Sequence, residues 1–152
     1  ARSRVEDFEQ GGFQHVIDDP AVTDTASIDR VLLCSGKVYY DLVAHREKVE
    51  AAHAAIVRVE QLHPFPEADI REVLARYDGV EKITWVQEEP RNMGAWTYMN
   101  EQFAERFGTT LRYIGRPEND SPAVASTKMH AAEQHRLLVE AIGIDPASTS
   151  ST

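Results

Sequence analysis

The stretch Trp85-Val-Gln-Glu-Glu-Pro-Arg-Asn-Met-Gly-Ala-Trp96 predicts a junction between a buried strand and a helix. The apolar residues that lead into it, beginning at Ile83, are typical of a strand that packs inward. Pro90 interrupts this pattern. Asn92 is a suitable N-cap for the following helix, because its side chain can accept hydrogen bonds from the free amides of a first helical turn. A strand joined to a helix in this way indicates an α/β fold.

Two adjacent carboxylates, Glu88 and Glu89, follow the strand. In an open α/β sheet, ligands and partner subunits meet the protein at the carboxyl ends of the strands, so a functional site is one interpretation of the pair. The other is that both are solvated loop acids, since the helix dipole favours negative charge near the start of the next helix. The residues alone favour the solvated interpretation, because such acids mark structural ion pairs as well as sites.

The composition is that of an ordinary globular protein. The chain has 152 residues, of which 42% are apolar and 27% charged, enough for one domain that buries roughly two-thirds of its unfolded surface. A net charge of -9 argues against a nucleic-acid or anionic-membrane surface. No apolar run approaches the roughly 20 residues needed to span a bilayer. The start lacks the apolar core of a secretory signal and has no initiator Met, which indicates a fragment or a processed product.

Strand and helix patterns alternate along the chain. Apolar runs with strand character lie at Arg30–Cys34, Ala55–Val59, Lys82–Gln87 and Thr110–Ile114, and helical periodicity lies at residues 37–51, 66–77, 92–107 and 127–142. This alternation predicts an α/β fold with a mostly parallel sheet, helices on both faces and right-handed crossovers. A further short strand, antiparallel to the others, is expected within residues 13–22 or 121–125. The stripe of Trp96, Met99, Phe103 and Phe107 predicts a core or a subunit interface.

Three regions are predicted. Residues 1–28 have weak periodicity and turn punctuation such as Asp18-Asp19-Pro20, which indicates either an extended arm that packs against something larger or a flexible leader; the arm is the preferred interpretation. Residues 29–144 form the α/β domain. Residues 145–152 are rich in Ser and Thr, which is typical of a disordered tail.

No pattern in the chain predicts catalysis by this domain alone. The sequence contains no nucleophile elbow, no zinc spacing and no complete nucleotide fingerprint, so no catalytic, cofactor-binding or metal-binding residue is predicted. Cys34 is the single cysteine and lies at the end of an apolar run, where a buried hydrophobic role is expected. Among the histidines, His63 is the one placed after a strand, where a site could form. The turn Ser35-Gly36-Lys37 has the strand, glycine and helix of an anion cradle, but lacks a full phosphate-binding loop.

Three glutamates are expected to share one edge of the sheet, because each follows a predicted strand; they are Glu60, Glu88 and Glu89. Paired carboxylates there can do acid–base work if one is desolvated. The preferred interpretation is that they form interface ion pairs with nearby arginines, namely Arg58, Arg91 or Arg116.

Several blocks of the chain resemble the C-terminal domain of the E1 component of 2-oxoglutarate dehydrogenase. They are Cys34-Ser-Gly-Lys-Val-Tyr-Tyr-Asp-Leu42, Ala55-Ile-Val-Arg-Val-Glu-Gln-Leu-His-Pro-Phe-Pro66, Trp85-Val-Gln-Glu-Glu-Pro90, Asn92-x-Gly-Ala-Trp96, Leu111-Arg-Tyr-x-Gly-Arg-Pro117 and Ser121-Pro-Ala123. The resemblance spans almost all of residues 30–143, and the order and spacing of the blocks agree with the family.

The resemblance implies a transketolase C-terminal-like fold and a thiamine diphosphate- and Mg²⁺-dependent parent enzyme. That enzyme decarboxylates 2-oxoglutarate and passes the succinyl group to the lipoyl carrier of the E2 subunit, in the bacterial cytoplasm or in the mitochondrial matrix of a eukaryote. The cofactor and metal belong to the preceding domains, so this chain is expected to complete a homodimer and brace those domains. The residues expected at domain or subunit contacts are Glu88, Glu89, Asn92, Trp96 and Arg116.

The resemblance also implies a possible regulatory site, because some members of the family are regulated by acetyl-CoA bound near this domain. In those members, basic residues bind it at positions that correspond to the arm and to the turn after Pro66 of this chain. Here Gln61 is present, but the arm offers Gly12 and His15 and the turn offers Ala68 and Asp69. Without those positive charges the phosphates lack partners, so acetyl-CoA is not expected to bind in that way. Met93 lies at a position where the family usually has Gln, and this difference is expected to change the packing of the side chain more than its chemistry.

Two further functions remain open from the residues alone. One is a stand-alone regulatory module that binds an anionic metabolite of the AMP or acetyl-CoA type, with Ser35, Gly36, Lys37 and Gln61 as the candidate effector residues. The other is a pure interaction domain in which the face of Trp96 and Phe103 drives self-association.

Overall fold

The computed structural model describes residues 15–117 and 127–143. Its strands are β1 Val16–Ile17, β2 Arg30–Cys34, β3 Ala54–Val59, β4 Lys82–Pro90 and β5 Arg112–Arg116. Its helices are α1 Val38–Lys48, α2 Glu67–Ala75, α3 Trp96–Phe107 and α4 Thr127–Ile142, and a 3₁₀ turn covers Thr25–Ser27. None of the helices formed by these residues combines the length and apolar character that a bilayer span requires.

The strands form one sheet in the order β1-β3-β2-β4-β5. β2 pairs in parallel with β3 and with β4, and β4 pairs in parallel with β5. β1 pairs antiparallel with β3, with Val16 opposite Val59. The mostly parallel sheet is therefore confirmed, and the short extra strand lies within the predicted residues 13–22. The alternative location, residues 121–125, lies outside the described residues.

Helices cover both faces of the sheet, as predicted, and the alternation of side chains along β2 explains why. Val31 and Leu33 point toward the layer of α2 and α3, whereas Leu32 and Cys34 point toward the layer of α1 and α4. All four side chains are fully buried. A strand sandwiched in this way needs apolar residues at every position, which produces the continuous run read from the sequence.

Trp96 and Phe103 lie in the core, on the face covered by α2 and α3, and are 7% and 0% exposed. The hypothesis that their face drives self-association is wrong, because their side chains are already buried within their own domain. The prediction that the stripe forms core is confirmed.

The junction between β4 and α3 differs from the sequence-based expectation. β4 continues through an irregularity after Val86 to Pro90, which pairs with Arg116 of β5. Pro90 is tolerated there because it lies at an irregularity in the pairing of β4 with β5. The N-cap of α3 is Ala95, which makes no side-chain cap bond, so the prediction of Asn92 as N-cap is wrong. The intervening residues form a turn in which the Met93 amide donates to the Pro90 carbonyl at 2.8 Å.

β5 begins at Arg112, two residues later than predicted. The reason is a tertiary hydrogen bond, in which the Leu111 amide donates to the Asn100 side chain of α3 at 3.2 Å. This bond attaches the preceding residue to the helix instead of the sheet. The apolar pattern of residues 110–114 carries no sign of this competition.

The described part of the predicted arm, residues 15–28, contributes β1 and packs on its own domain. The division between arm and domain at residue 28 stays a prediction. The first fourteen residues and the predicted tail at 145–152 lie outside the described residues.

Candidate functional site at the carboxyl edge of the sheet

The carboxyl edge comprises the residues that follow the C-terminal ends of β2, β3, β4 and β5. β2 connects to β3 on one side, whereas its other neighbour in the sheet is β4. The chain therefore diverges between β2 and β4, and crevices at such points are where open α/β sheets bind ligands and partners. A cleft of about 600 Å³ lies at this point. It is lined by Lys37, Glu88, Glu89, Pro90, Arg116, Ala131 and Gln134.

A polar network crosses the divergence point and joins β2, β4 and both helices of one layer. The Lys37 ammonium lies 3.0 Å from the Asp41 carboxylate and 3.5 Å from that of Glu88. The hydrogen bond to Asp41, followed by the charge of Glu88, raises the pKa of Lys37. Gln134 of α4 donates to Asp41 at 2.9 Å. Glu88 therefore has Lys37 as a countercharge within the chain.

The turn Ser35-Gly36-Lys37 has the backbone shape expected of it, with Gly36 at φ +80°. Its chemistry is less suited to an anion, because two carboxylates already surround the Lys37 charge. Gln61 follows β3, and its backbone N–H donates to the His15 carbonyl at 3.3 Å. An effector role for these residues stays a prediction.

Arg58 and Glu60 form an ion pair at 3.0 Å where β3 ends. The guanidinium carbon of Arg58 also lies 4.6 Å from the ring centroid of Tyr39 and 5.4 Å from that of Tyr40. Such stacking stabilises a cation on an aromatic face. Glu60 thus has a countercharge inside the chain, although the buried Nε of Arg58 has no hydrogen-bond partner among the described residues. The ion pairs of Glu60 and Glu88 are separate, because β2 lies between the strands that bear these two glutamates.

Gln87 organises the turn between β4 and α3, and the sequence reading missed it. Its side chain is 3% exposed. Its Oε1 accepts from Trp85 Nε1 at 2.8 Å, and its Nε2 lies 3.1, 2.9 and 2.8 Å from the carbonyls of Glu89, Pro90 and Met93. Two amide protons serve these three carbonyls. The available signal was an amide two residues after a buried Trp, because residues i and i+2 of a strand share a face.

Gly94 and Gly115 lie so close to neighbouring atoms at this turn that any side chain at either position would collide with them. A Cβ on Gly94 would lie 2.9 Å from Gln87 Oε1, and Gly94 has φ +69°. A Cβ on Gly115 would lie 2.5 Å from the Tyr113 hydroxyl and 2.8 Å from the Gln87 carbonyl. The turn therefore depends on close contact of backbone with the buried amide.

Arg91 and Trp96 meet Tyr113 on the outer side of this turn. The Trp96 and Tyr113 rings lie 5.0 Å apart, and the Arg91 guanidinium carbon lies 5.4 and 5.1 Å from their centroids. The Tyr113 hydroxyl donates to the Arg116 carbonyl at 2.5 Å. Burial raises the pKa of Tyr113. These contacts make Trp96 and Arg116 part of one support for the turn.

The remaining candidate residues differ in exposure. Glu89 and Asn92 are exposed, whereas Arg116 is half-buried. Contact of these residues with another domain or subunit stays a prediction. His63 is exposed, and its ring lies 4.2 Å from the Tyr98 ring.

Asp19 and Arg46 form a second buried polar arrangement. The pair is charged and buried, with side chains 2% and 8% exposed. Asp19 also accepts from the Ile56 amide at 2.8 Å, and Arg46 donates to the Ala54 carbonyl at 3.1 Å. These bonds attach the arm to β3. In the sequence, Asp19 is indistinguishable from turn punctuation before a proline.

The residues described by the structure include no group of three or more His, Cys, Asp or Glu side chains arranged to hold a metal ion. Cys34 is fully buried, and burial raises the pKa of its thiol to about 12. A thiol in this state is inert as a nucleophile at neutral pH.

Comparison with known proteins identifies relatives of the whole domain. The chain is 41% identical over 138 residues to the 2-oxoglutarate dehydrogenase E1 component of Rickettsia typhi, covering 88% of this chain and 15% of that protein. It is 39% identical over 150 residues to that of Azotobacter vinelandii, covering 95% and 16%. The chain thus spans about a sixth of the length of these relatives.

A solved structure supports the fold. It is a chain described as a split-gene transketolase, inactive beta4 tetramer, with a TM-score of 0.52 and 14% identity, covering 76% of this chain and 39% of that one. The family model described as 2-oxoglutarate dehydrogenase C-terminal matches residues 2–142. The chain therefore belongs to the 2-oxoglutarate dehydrogenase C-terminal family.

Proposed function

We propose that this chain is the C-terminal structural domain of a 2-oxoglutarate dehydrogenase E1 polypeptide, in which it braces the catalytic domains and helps to form the homodimer. The observation that carries this proposal is the family match over residues 2–142. The relatives are named as E1 components and are about six times longer than the match. A domain of this kind contributes to the enzyme through its contacts.

In this proposal, the parent protein decarboxylates 2-oxoglutarate and transfers the succinyl group to the lipoyl-bearing E2 subunit, in the cytoplasm of a bacterial cell. It uses thiamine diphosphate and Mg²⁺, which supply the chemistry for cleaving a 2-oxo acid. The described carboxylates at the carboxyl edge of this domain do not fit the metal. Mg²⁺ is bound by oxygen ligands such as carboxylates. The carboxylates of Glu60 and Glu88 already form ion pairs with Arg58 and Lys37. The cofactor and metal are assigned to the preceding domains.

The geometry of the carboxyl edge supports a bracing role in preference to a chemical one. Acid–base work by two carboxylates needs environments that separate their pKa values, whereas Glu60 and Glu88 each form an ion pair. Gln87 shapes the turn after β4 through hydrogen bonds to three backbone carbonyls. No observation favours the stand-alone regulatory module, and the relatives are named as parts of an enzyme.

The full-length protein tests this proposal when compared with a version that lacks residues 15–152. The intact protein should sediment as a dimer and decarboxylate 2-oxoglutarate with thiamine diphosphate and Mg²⁺, and the truncated version should lose both properties. A truncated protein that stays dimeric and active would contradict the bracing role. An intact protein that binds the cofactor but leaves 2-oxoglutarate unchanged would contradict the substrate.

A further inference from the structure

The two sides of the sheet end in strands of different character. On one side the last strand of the described sheet is β5, which carries Arg112 and Arg116 among its five residues and is followed by Pro117. Charged side chains and proline commonly protect an edge strand from pairing with another chain. On the other side lies β3, covered by the two-residue strand β1. The sequence of β3, Ala-Ala-Ile-Val-Arg-Val, contains a single charged residue and no proline.

β1 is too short to cover the whole of β3, because it pairs with only the last two of its six residues. Alternate residues of a strand direct their backbone groups to the same side. The Glu60 amide, just after β3, donates to the His15 carbonyl at 2.7 Å. The backbone groups of Ile56 and Ala54 therefore point to this side as well, beyond the end of β1. Backbone groups left open there would form a template for another strand.

The ion pair of Asp19 and Arg46 covers these two residues. The Asp19 carboxylate accepts from the Ile56 amide at 2.8 Å, and Arg46 donates to the Ala54 carbonyl at 3.1 Å. A neighbouring strand would supply the same two partners, an acceptor for the amide and a donor for the carbonyl. The ion pair thus replaces a strand at the point where β1 ends.

The position of this ion pair makes it difficult for a new strand to displace it. Its side chains are 2% and 8% exposed. Asp19 also accepts from the Ala21 amide at 3.0 Å, and Arg46 belongs to α1. Separating the two charges would leave buried ions uncompensated, which is strongly unfavourable. Inward-pointing charges of this kind are one way in which proteins protect a sheet edge.

We propose that the Asp19–Arg46 ion pair is an edge plug, which closes the β3 side of the sheet against strand addition by a second copy of this chain. A second copy is the partner to be excluded because it carries the same apolar strand, and two identical strands can pair antiparallel about a two-fold axis. Segments with high β-propensity, low charge and no proline are those most prone to such pairing. The inference follows from contacts within this domain and does not depend on the proposed function.

Two double variants of the full-length protein test the edge plug. Asp19→Ala with Arg46→Met, the plug variant, removes both charges together, so that no unpaired charge stays buried and the two backbone groups of β3 become uncovered. Asp18→Ala with Arg76→Met is the matched control, because it removes the neighbouring ion pair of the arm and leaves β3 covered. Sedimentation velocity compares the size of each protein with that of the parent protein over a range of concentrations.

We expect the plug variant to form larger assemblies as its concentration rises, whereas the control keeps the size of the parent protein. A folded plug variant that keeps the parent size at every concentration would overturn the proposal. Assembly of the control to the same extent would also overturn it, because loss of any arm contact would then be sufficient.

Hydrogen exchange, measured at single-residue resolution by mass spectrometry, identifies the surface that assembles. At low concentration the Ile56 amide of the plug variant should exchange about fivefold or more faster than in the parent protein, as expected for a lost hydrogen bond. The rate should fall again as assemblies form, because a new strand then pairs with β3. Assemblies in which Ile56 still exchanges rapidly would form through another surface and would contradict the edge plug.

A milder variant decides the question if the plug variant does not fold. Asp19→Asn with Arg46→Met keeps an oxygen that can accept from the Ile56 amide, and leaves the Ala54 carbonyl without its donor. It should assemble at higher concentrations than the plug variant, but at lower concentrations than the parent protein. In the absence of a folded plug variant, a folded Asn variant with the parent size throughout would overturn the proposal.

Discussion

Asp19 and Gln87 both attach an irregular segment to the sheet through a buried polar side chain, but one is charged and the other is neutral. Asp19 is 4% exposed and fastens the arm to β3 together with Arg46, whereas Gln87 is 3% exposed and shapes the turn after β4. A buried charge requires a countercharge, because desolvation penalises it strongly. A neutral amide needs only hydrogen-bond partners, which the adjacent backbone supplies.

The difference shows where each region is vulnerable. The arm depends on two residues that are 27 positions apart in the chain, so loss of either partner leaves a buried charge. The turn after β4 depends on one side chain and on backbone groups at most six positions away. The arm contact is therefore expected to be the more sensitive of the two.

Replacement of Arg46 with Met should have the largest effect. The Asp19 carboxylate would remain buried without its countercharge, which costs about 3–5 kcal/mol of unfolding free energy. Urea unfolding measures this loss. Arg76→Met is the matched control, because it removes an arginine from the more exposed pair with Asp18, where about 1 kcal/mol or less is expected. Equal losses in the two variants would contradict the comparison. The double variant Asp19→Asn with Arg46→Met should recover part of the loss.

Replacement of Gln87 with Leu should have the next largest effect. Leu removes the acceptor of the Trp85 indole and the donor to three carbonyls while keeping a similar volume. Unsatisfied buried groups cost about 1–3 kcal/mol each, and water can reach part of this turn, so a total of about 2–3 kcal/mol is expected by urea unfolding. Gln102→Leu, on the outer part of α3, should change stability by less than about 0.5 kcal/mol. A loss for Gln87→Leu as small as this control would show that the turn holds its shape without the amide.

Replacement of Gly115 with Ala tests how closely the backbone must approach Gln87. The added Cβ would lie 2.5 Å from the Tyr113 hydroxyl and 2.8 Å from the Gln87 carbonyl. Such overpacking should cost about 1–2 kcal/mol, measured by thermal or urea unfolding. The same change in a Tyr113→Phe background should cost less, because the shortest of three close contacts, the one to the hydroxyl, is removed, while Tyr113 Cζ and the Gln87 carbonyl stay at 2.8 Å. An unchanged cost in that background would show that the hydroxyl is not the source of the conflict.

The smallest expected effect is a pH dependence from Cys34. Burial raises the pKa of its thiol from 9.0 to about 12, so above pH 9 the unfolded state loses this proton while the folded state retains it. The stabilisation is fully present below about pH 9 and is lost as pH rises toward 12. The stability advantage of the parent protein over Cys34→Ala should shrink by about 1 kcal/mol between pH 8 and pH 10. The shifted tyrosines are common to both proteins and cancel. A constant difference over that range would show that the thiol is not the cause.

The elements that could be predicted are those whose pattern is local. β2 at Arg30–Cys34 and α4 at Thr127–Ile142 have the predicted bounds, because a continuous apolar run and a helical period are properties of adjacent residues. β4 ends later than predicted, at Pro90, because Pro90 pairs with Arg116 of β5. β5 begins later than predicted, at Arg112, because the Leu111 amide donates to Asn100 of α3. Both contacts join segments that are distant in the chain. Asn92 has the right side chain for a cap, but the turn held by Gln87 places the helix start three residues beyond it.

The fold class, the family and the carboxylates at the carboxyl edge can all be read from the chain, since apolar periodicity and long sequence blocks carry that information. Three contacts can be seen only in the tertiary structure. Asp19 pairs with Arg46, Glu88 forms an ion pair with Lys37, and the Gln87 side chain supports the turn between β4 and α3. The physical reason is that hydrogen bonds and desolvation depend on which groups meet in space. A polar residue has the same letter whether it is solvated or buried. The stretch Trp85–Trp96 therefore predicts a strand, a turn and a helix. The role of each polar side chain within it is determined by its contacts with the surrounding sheet.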